Sequence, residues 1–273
     1  MKSYSDLVEQ TFEFPTKEFK VKKNKLLFND VDLTAIIKKY GTPLKLSYLP
    51  KISEMIQYAK EIFNKAIVKK KYKGKYIYCY CTKSSHFEFV LDEALKNDIH
   101  IETSSAFDIY IVENLLAKGK ITKDTYVLCN GFKRDLYKEK ITNLLNDGFK
   151  NCVPILDNLK ELDYYQKNVT TEFQVGIRVA SDEEPNFSFY TSRLGIRYND
   201  IVDYYKNEIK DHPNTNLKML HFFINTGIKD TAYYWSELSR FMYKYCELKK
   251  ICPTLPSIRY WIKNSKTTKS FGI

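Results

Sequence analysis

No apolar run in this sequence is long enough to cross a membrane or to form the core of a secretion signal, and the first 25 residues mix Asp6 and Glu9 with several lysines. A cytoplasmic protein is therefore expected. Cysteine is sparse: six in 273 residues, without regular spacing, which excludes a disulfide framework and points to reduced thiols. Cys79 and Cys81 lie two apart and would share one face of a strand, but no second pair supplies metal-ligand spacing, so no metal is expected. Asn168-Val169-Thr170 matches a glycosylation acceptor and means nothing in the cytoplasm. Acidic residues are outnumbered, 33 against 44 lysines and arginines, leaving a net charge of +11. That excess invites a nucleic-acid reading of Lys69-Lys-Lys-Tyr-Lys-Gly-Lys-Tyr76, where lysines interleave with tyrosines. The lysine excess, however, recurs along the whole chain. The stretch also joins a helix over residues 52–68 to a strand, where a solvated basic loop needs no ligand. Neither nucleic acid nor a membrane is expected as a partner.

What is present is a repeat. Strand-like runs begin near Tyr76, Ile99, Tyr126 and Val153, each followed by a helical pattern, so a strand-plus-helix unit recurs about every 25 residues. Phe87, Val90, Leu91, Ala94 and Leu95 fall on one helix face. Ser85 with Glu88, Ser105 with Asp108 and Asn158 with Glu161 have capping-box spacing, while Gly119 and Gly148 stand where helices should stop. A fifth strand spans residues 173–180, followed by an irregular stretch through Pro185 and a helix over 200–210. A sixth strand covers 217–224, a long helix 230–249, and a seventh strand 258–262 after Cys252-Pro253. Alternating units of this kind imply a parallel sheet. With no strand-order reversal visible, the expected fold is α/β: an incomplete (β/α)8 TIM-type barrel of about seven strands. Residues 1–39 read as an amino-terminal arm, 40–262 as the barrel and 263–273 as a polar tail. Tyr40-Gly-Thr-Pro43 breaks the chain ahead of a short strand over 44–48.

Lys83 closes the run Tyr76-Ile-Tyr-Cys-Tyr-Cys-Thr-Lys83 and precedes Ser84, Ser85 and a helix. It thus occupies a strand-to-helix loop on the side where α/β enzymes place their chemistry. It is a candidate covalent anchor for a cofactor; the alternative is a solvated loop lysine.

Tyr40-Gly-Thr-Pro-Leu44, the strand ending in Lys83, Ile101-Glu-Thr-Ser-Ser-Ala-Phe-Asp108, Asn130-Gly-Phe-Lys133, Val175-Gly-Ile-Arg178, Ser192-Arg-Leu-Gly195 and Leu220-His-Phe-Phe-Ile-Asn-Thr-Gly227 occur in a telling order. The set resembles the ornithine/diaminopimelate/arginine decarboxylases, pyridoxal-phosphate enzymes built on an alanine-racemase-like barrel, and within them the bacterial arginine decarboxylases. The resemblance runs from about Tyr40 to Pro253. It implies pyridoxal 5'-phosphate as cofactor and Lys83 as the lysine that holds it. It also places Glu102 as the acidic residue beside that lysine, Arg178 near the cofactor, and Thr226 and Gly227 at the phosphate. Asp108 reads either as part of that site or as plain helix capping. The histidine that stacks on the cofactor ring in the family aligns with Phe223. His221 lies two residues earlier and so on the same face of the strand, and either can serve. After Pro253 the family's glycine-rich phosphate loop and carboxyl-terminal β domain have no counterpart. The implied function is decarboxylation of a basic amino acid, arginine to agmatine, with this chain weakly active or inactive alone. A homodimer is implied for the full-length family. Two alternatives stand beside it: a non-catalytic barrel that binds pyridoxal phosphate, and a basic interaction protein.

Overall fold

The computed structural model describes residues 18–180, 194–223 and 231–256. The chain divides into two compact units, Met1–Tyr48 and Leu49–Ile273.

In the first unit, strands β1 (Phe19–Lys22), β2 (Lys25–Phe28) and β3 (Val31–Asp32) pair antiparallel in chain order. Their two connections are two-residue turns in which Lys23 and Asn24, then Asn29 and Asp30, take positive φ, the conformation that matches strand twist in tight hairpins. Helix α1 (Leu33–Tyr40) follows. Asp32 caps it by accepting the Ala35 N–H at 3.0 Å and also pairs with Lys25 at 2.8 Å. The strand expected over 44–48 does not form. Its apolar residues Leu44 and Leu46 stay exposed, and no neighbouring strand offers the segment a ladder among the described residues.

The second unit opens with α2 (Pro50–Lys69), whose first residue is a proline, tolerated at a position with no intrahelical N–H bond to lose. Six parallel strands then alternate with helices: β4 (Cys79–Cys81), α3 (Glu88–Leu95), β5 (His100–Thr103), α4 (Ala106–Ala117), β6 (Val127–Cys129), α5 (Asp135–Asn146), β7 (Cys152–Leu156), α6 (Glu161–Asn168), β8 (Phe173–Ala180) and, after a short β9 (Ile196–Arg197), α7 (Ile201–Tyr204), β10 (Thr215–His221) and α8 (Thr231–Ile251). Each strand pairs with the next along the chain, in the order β4-β5-β6-β7-β8-β10, while β9 pairs with the end of β8. The absence of an order reversal makes this a barrel wall rather than a doubly wound sheet. Among the described residues β4 and β10 are its outer strands. The expected seventh strand, 258–262, lies outside the described residues.

Two helix ends follow their glycines. Gly119 and Gly148 take φ of +67° and +86°, and in each case paired reverse bonds close the helix: Gly119 N–H to Leu116 O with Lys120 N–H to Leu115 O, and Gly148 N–H to Leu145 O with Phe149 N–H to Leu144 O. The starts differ from expectation. Helix α3 begins at Glu88 behind Phe87, not Ser85; the Ser85 carbonyl instead accepts the Tyr80 hydroxyl, and Glu88 turns outward to Lys118. The run from Tyr76 becomes a strand only at Cys79, because β5, its partner among the described residues, begins opposite at His100. The helix expected over 200–210 is α7 continued by a π-turn, Tyr205–Ile209. The wider turn lets the adjacent rings of Tyr204 and Tyr205 both reach the core.

Strand alternation sorts the wall into two faces. Ile101, Val127, Cys129, Cys152, Leu156, Val175, Ile177 and Leu217 join the large core beneath the helices, whereas Leu128, Val153, Ile155 and Met219 form a separate small cluster on the opposite, inner face. Gly176 belongs to the inner face. A Cβ there would stand 2.5 Å from Ile155 Cδ1 and 2.8 Å from Met219 Cγ, so its neighbours already fill the space. Above this cluster, at the carboxyl ends of the strands, the inner face turns polar.

Candidate functional site

The polar layer follows from strand parity. Cys81 pairs in register with Glu102, and Arg178 with His221, and register partners on parallel strands share a face. Asn130 and Asp157 continue β6 and β7 by one residue each, on the same parity as Leu128 and Ile155. All six residues are buried. Glu102 accepts a hydrogen bond from Asn130 Nδ2 at 3.0 Å and lies 3.8 Å from the Cys81 sulfur. The same amide nitrogen is 3.3 Å from His221 Nε2. An amide NH2 can only donate, so Nε2 accepts, and the neutral His221 ring carries its proton on Nδ1. Asn130 thereby joins the carboxylate to the imidazole. Its own oxygen is held by the Gly131 N–H at 2.8 Å.

Lys83 stands in the turn that follows β4, with its side chain exposed. The turn is tied to β5, since the Thr82 N–H and hydroxyl both donate to the Glu102 carbonyl, at 3.0 and 3.1 Å. The backbone next to Lys83 is thus tied to the strand that carries the buried carboxylate.

A second set of charges lies beside the first. Arg178 approaches Asp157 at 3.6 Å on one side, and its guanidinium carbon stands 5.2 Å from the Phe223 ring centre. Burial lowers the Arg178 pKa from its ordinary value, and the carboxylates of Asp157 and Glu102 oppose that shift. Asp157 also lies 3.7 Å from Lys133, whose wholly buried ammonium meets Glu161 at 2.9 Å, Gly131 O at 3.0 Å and Ile155 O at 2.5 Å. Burial raises the Glu161 carboxyl pKa, while Lys133 pulls it down. Behind Asp157, its carbonyl accepts the Gly195 N–H at 2.8 Å. Gly195 has φ of +111°, and a Cβ there would stand 2.8 Å from the Ala180 nitrogen and 3.0 Å from the Arg178 carbonyl. Gly195→Ala is therefore expected to destabilise the fold by about 2 kcal/mol or more, read as a lowered urea midpoint, because both backbone strain and a backbone clash arise.

The structure gathers Glu102, Arg178 and His221 on one face; Lys83 lies two residues beyond Cys81, the end of β4, and its side chain is exposed. Thr226 and Gly227 lie outside the described residues. Phe223 stands beside Arg178. Ser105 sits at the start of α4 but its side chain makes no cap bond. Asp108 accepts instead from the N–H and hydroxyl of Ser104, at 2.8 and 3.1 Å, so its carboxylate serves the helix start. Asn130, Lys133 and Asp157 went unassigned in the sequence. Parity on β6 and β7 is the signal that reaches Asn130 and Asp157; nothing in local spacing turns Lys133 inward.

No family model matches the chain. The biosynthetic arginine decarboxylase of Vibrio vulnificus is 22% identical over 242 residues, covering 82% of this chain and 37% of that protein. Arginine decarboxylase 2 of Arabidopsis thaliana is 23% identical over 245 residues, 81% of this chain and 34% of that protein. Among solved structures, diaminopimelate decarboxylase from M. jannaschii in complex with L-lysine superposes with a TM-score of 0.70 at 17% identity, over 86% of this chain and 54% of that one. The biosynthetic arginine decarboxylase of Campylobacter jejuni gives 0.66 at 19% identity, over 88% of this chain and 41% of that one. The chain is similar in sequence to arginine decarboxylases and shares its fold with solved amino-acid decarboxylases. It spans about a third of the length of the curated decarboxylases it matches, and the fold it shares with the solved decarboxylases is the barrel. Among the described residues no helix is long and apolar enough to cross a membrane, and no cluster of His, Cys, Asp and Glu could hold a metal ion.

Proposed function

We propose that this chain carries the cofactor-binding barrel of a pyridoxal-phosphate-dependent decarboxylase, with arginine as substrate and agmatine and carbon dioxide as products. The observation that carries this reading is Lys83: an exposed amine at the carboxyl end of a barrel strand, tied through Thr82 to the backbone of Glu102. The donor set fits the cofactor, which is anionic and is held covalently by a lysine. The site offers that amine, a buried cation in Arg178, a buried carboxylate in Glu102, and Asp157 oxygens that accept no hydrogen bond although fully buried. When bound, pyridoxal phosphate supplies an electron sink for the charge left on the α-carbon as carbon dioxide departs. The chain's own residues do the rest. Lys83 anchors and orients; Asn130 holds Glu102 and His221 in one hydrogen-bonded set, with the imidazole proton kept on Nδ1; Arg178 meets negative charge; and the apolar cluster of Leu128, Val153, Ile155 and Met219 excludes water from below.

Arginine is favoured by the curated relatives. A cytoplasmic location and a homodimer belong to the same proposal. A second reading, a barrel that binds pyridoxal phosphate without turnover, is favoured by Phe223 standing where the family has its ring-stacking histidine.

The test is a visible absorbance spectrum of the purified chain with pyridoxal phosphate, then borohydride reduction and peptide mapping, beside an assay for carbon dioxide released from arginine. Label concentrated on Lys83 with arginine-dependent release is the expected result. Label on Lys83 without release selects the second reading, and label scattered over surface lysines overturns both.

A further inference from the structure

Asp157 is the anomaly of the inner face. Its side chain is completely buried, yet neither carboxylate oxygen accepts a hydrogen bond, an arrangement that is unfavourable unless cations hold the group in place. Lys133 does not hydrogen-bond it. An ammonium has three N–H donors, and those of Lys133 are taken by Gly131 O, Ile155 O and Glu161 Oε1. Its 3.7 Å approach to Asp157 Oδ2 is one of charge alone. The backbone on both sides of the carboxylate is fixed as well: the Asp157 N–H donates to Glu161 Oε2 at 3.1 Å, and its carbonyl accepts from Gly195 at 2.8 Å. What this frame leaves for Oδ1 is the Arg178 guanidinium at 3.6 Å. Arg178 in turn is bounded by Asp157 at one edge and by the Phe223 ring. Five N–H donors are available to it, and among the described residues its ion-pair partner is Asp157.

We propose that Asp157 is a positioning residue that holds the Arg178 guanidinium against the inner wall, so that the remaining N–H donors face the barrel mouth and whatever anionic group enters it. Lys133 and Glu161 set the carboxylate, and the carboxylate sets the arginine. This deepens the reading given above and rests on it in one respect: the anionic group is taken to be the cofactor's.

The experiment uses the full chain and two readouts. Without cofactor, 15N relaxation of the Arg178 Nε–H reports its order. A rigid signal in the wild type that becomes mobile in Asp157→Asn and in Asp157→Ser, with unchanged far-UV circular dichroism, is the expected result, and the serine variant serves should the asparagine one not fold. With pyridoxal phosphate, Asp157→Asn is expected to weaken binding about tenfold in an Arg178-containing chain and to add nothing in an Arg178→Gln background, because the carboxylate acts through the guanidinium. A purely structural role predicts additive losses instead. An Arg178 signal equally rigid with and without Asp157, or additive losses, overturns the proposal. A wild-type chain that takes up no cofactor at Lys83 removes the functional reading, and the relaxation measurement then decides the positioning role by itself.

Discussion

Replacing Lys133 with methionine should cost about 3–5 kcal/mol of folding stability, the range seen when one partner of a buried ion pair is removed. The thioether fills most of the space of the lysine stem, so packing is largely kept and the loss isolates the ammonium. Four acceptors converge on it: the carbonyls of Gly131 and Ile155, Glu161 at 2.9 Å, and Asp157 by charge at 3.7 Å. Once it is gone, two buried carboxylates face each other across a dry site, with Arg178 the cation left near Asp157. Set against the ~5–15 kcal/mol that stabilises an ordinary domain, the change runs from about a fifth of the total to all of it. It would appear as a lower urea midpoint with an unchanged slope. Lys118→Met is the control. Its partner Glu88 is solvent-exposed, screening is strong there, and no measurable change in midpoint is expected. Equal effects from the two variants would refute the view that the Lys133 network is a buried lock.

Much of this architecture could be read before any coordinates. The strand-and-helix rhythm from Tyr76 onward leads to the parallel wall because each amphipathic helix must return to the sheet it covers, and Gly119 and Gly148 mark helix ends because the left-handed turn there suits glycine. The helix starts were harder. Capping spacing pointed to Ser85 with Glu88, but the Ser85 carbonyl takes the Tyr80 hydroxyl and Glu88 pairs with Lys118, partners that the spacing itself does not show. The segment over 44–48 looks like a strand and is not one, because a strand needs a neighbour and sequence shows only the segment. The site divides along the same line. Glu102, Arg178 and His221 lie on strands, where alternation fixes the face once one residue is placed. Lys133 lies in a loop whose side chains follow no period, so its inward turn is a product of the assembled wall. Asp157 stands between the two cases: parity puts it on the inner face, but its pairing with Arg178 depends on the β7–β8 contact.

Lys83→Arg should abolish borohydride-fixed cofactor label at that position and leave stability within about 0.5 kcal/mol of the wild type. The two halves of that expectation have separate causes. Arginine keeps the positive charge and the long stem, but its guanidinium stays protonated and is not the amine nucleophile that a lysine supplies. Stability is spared because the Lys83 side chain is exposed, and because the bonds that order its turn, Thr82 N–H and Oγ1 to Glu102 O and Ser84 N–H to Cys81 O, involve neighbouring residues. Lys83→Ala should match it in both respects, which excludes charge as the feature that matters. Retained label in Lys83→Arg, mapped to a neighbouring lysine, would move the anchor elsewhere. A large drop in the urea midpoint would mean that the side chain supports the wall. The contrast with Lys133 is the informative part. The two lysines stand on the strand-to-helix loops after β4 and β6, at the same end of the wall with β5 between them, one exposed and one sealed. Loss of the first should remove chemistry without touching the fold; loss of the second should weaken the fold while Lys83, in whatever fraction stays native, still takes up the label.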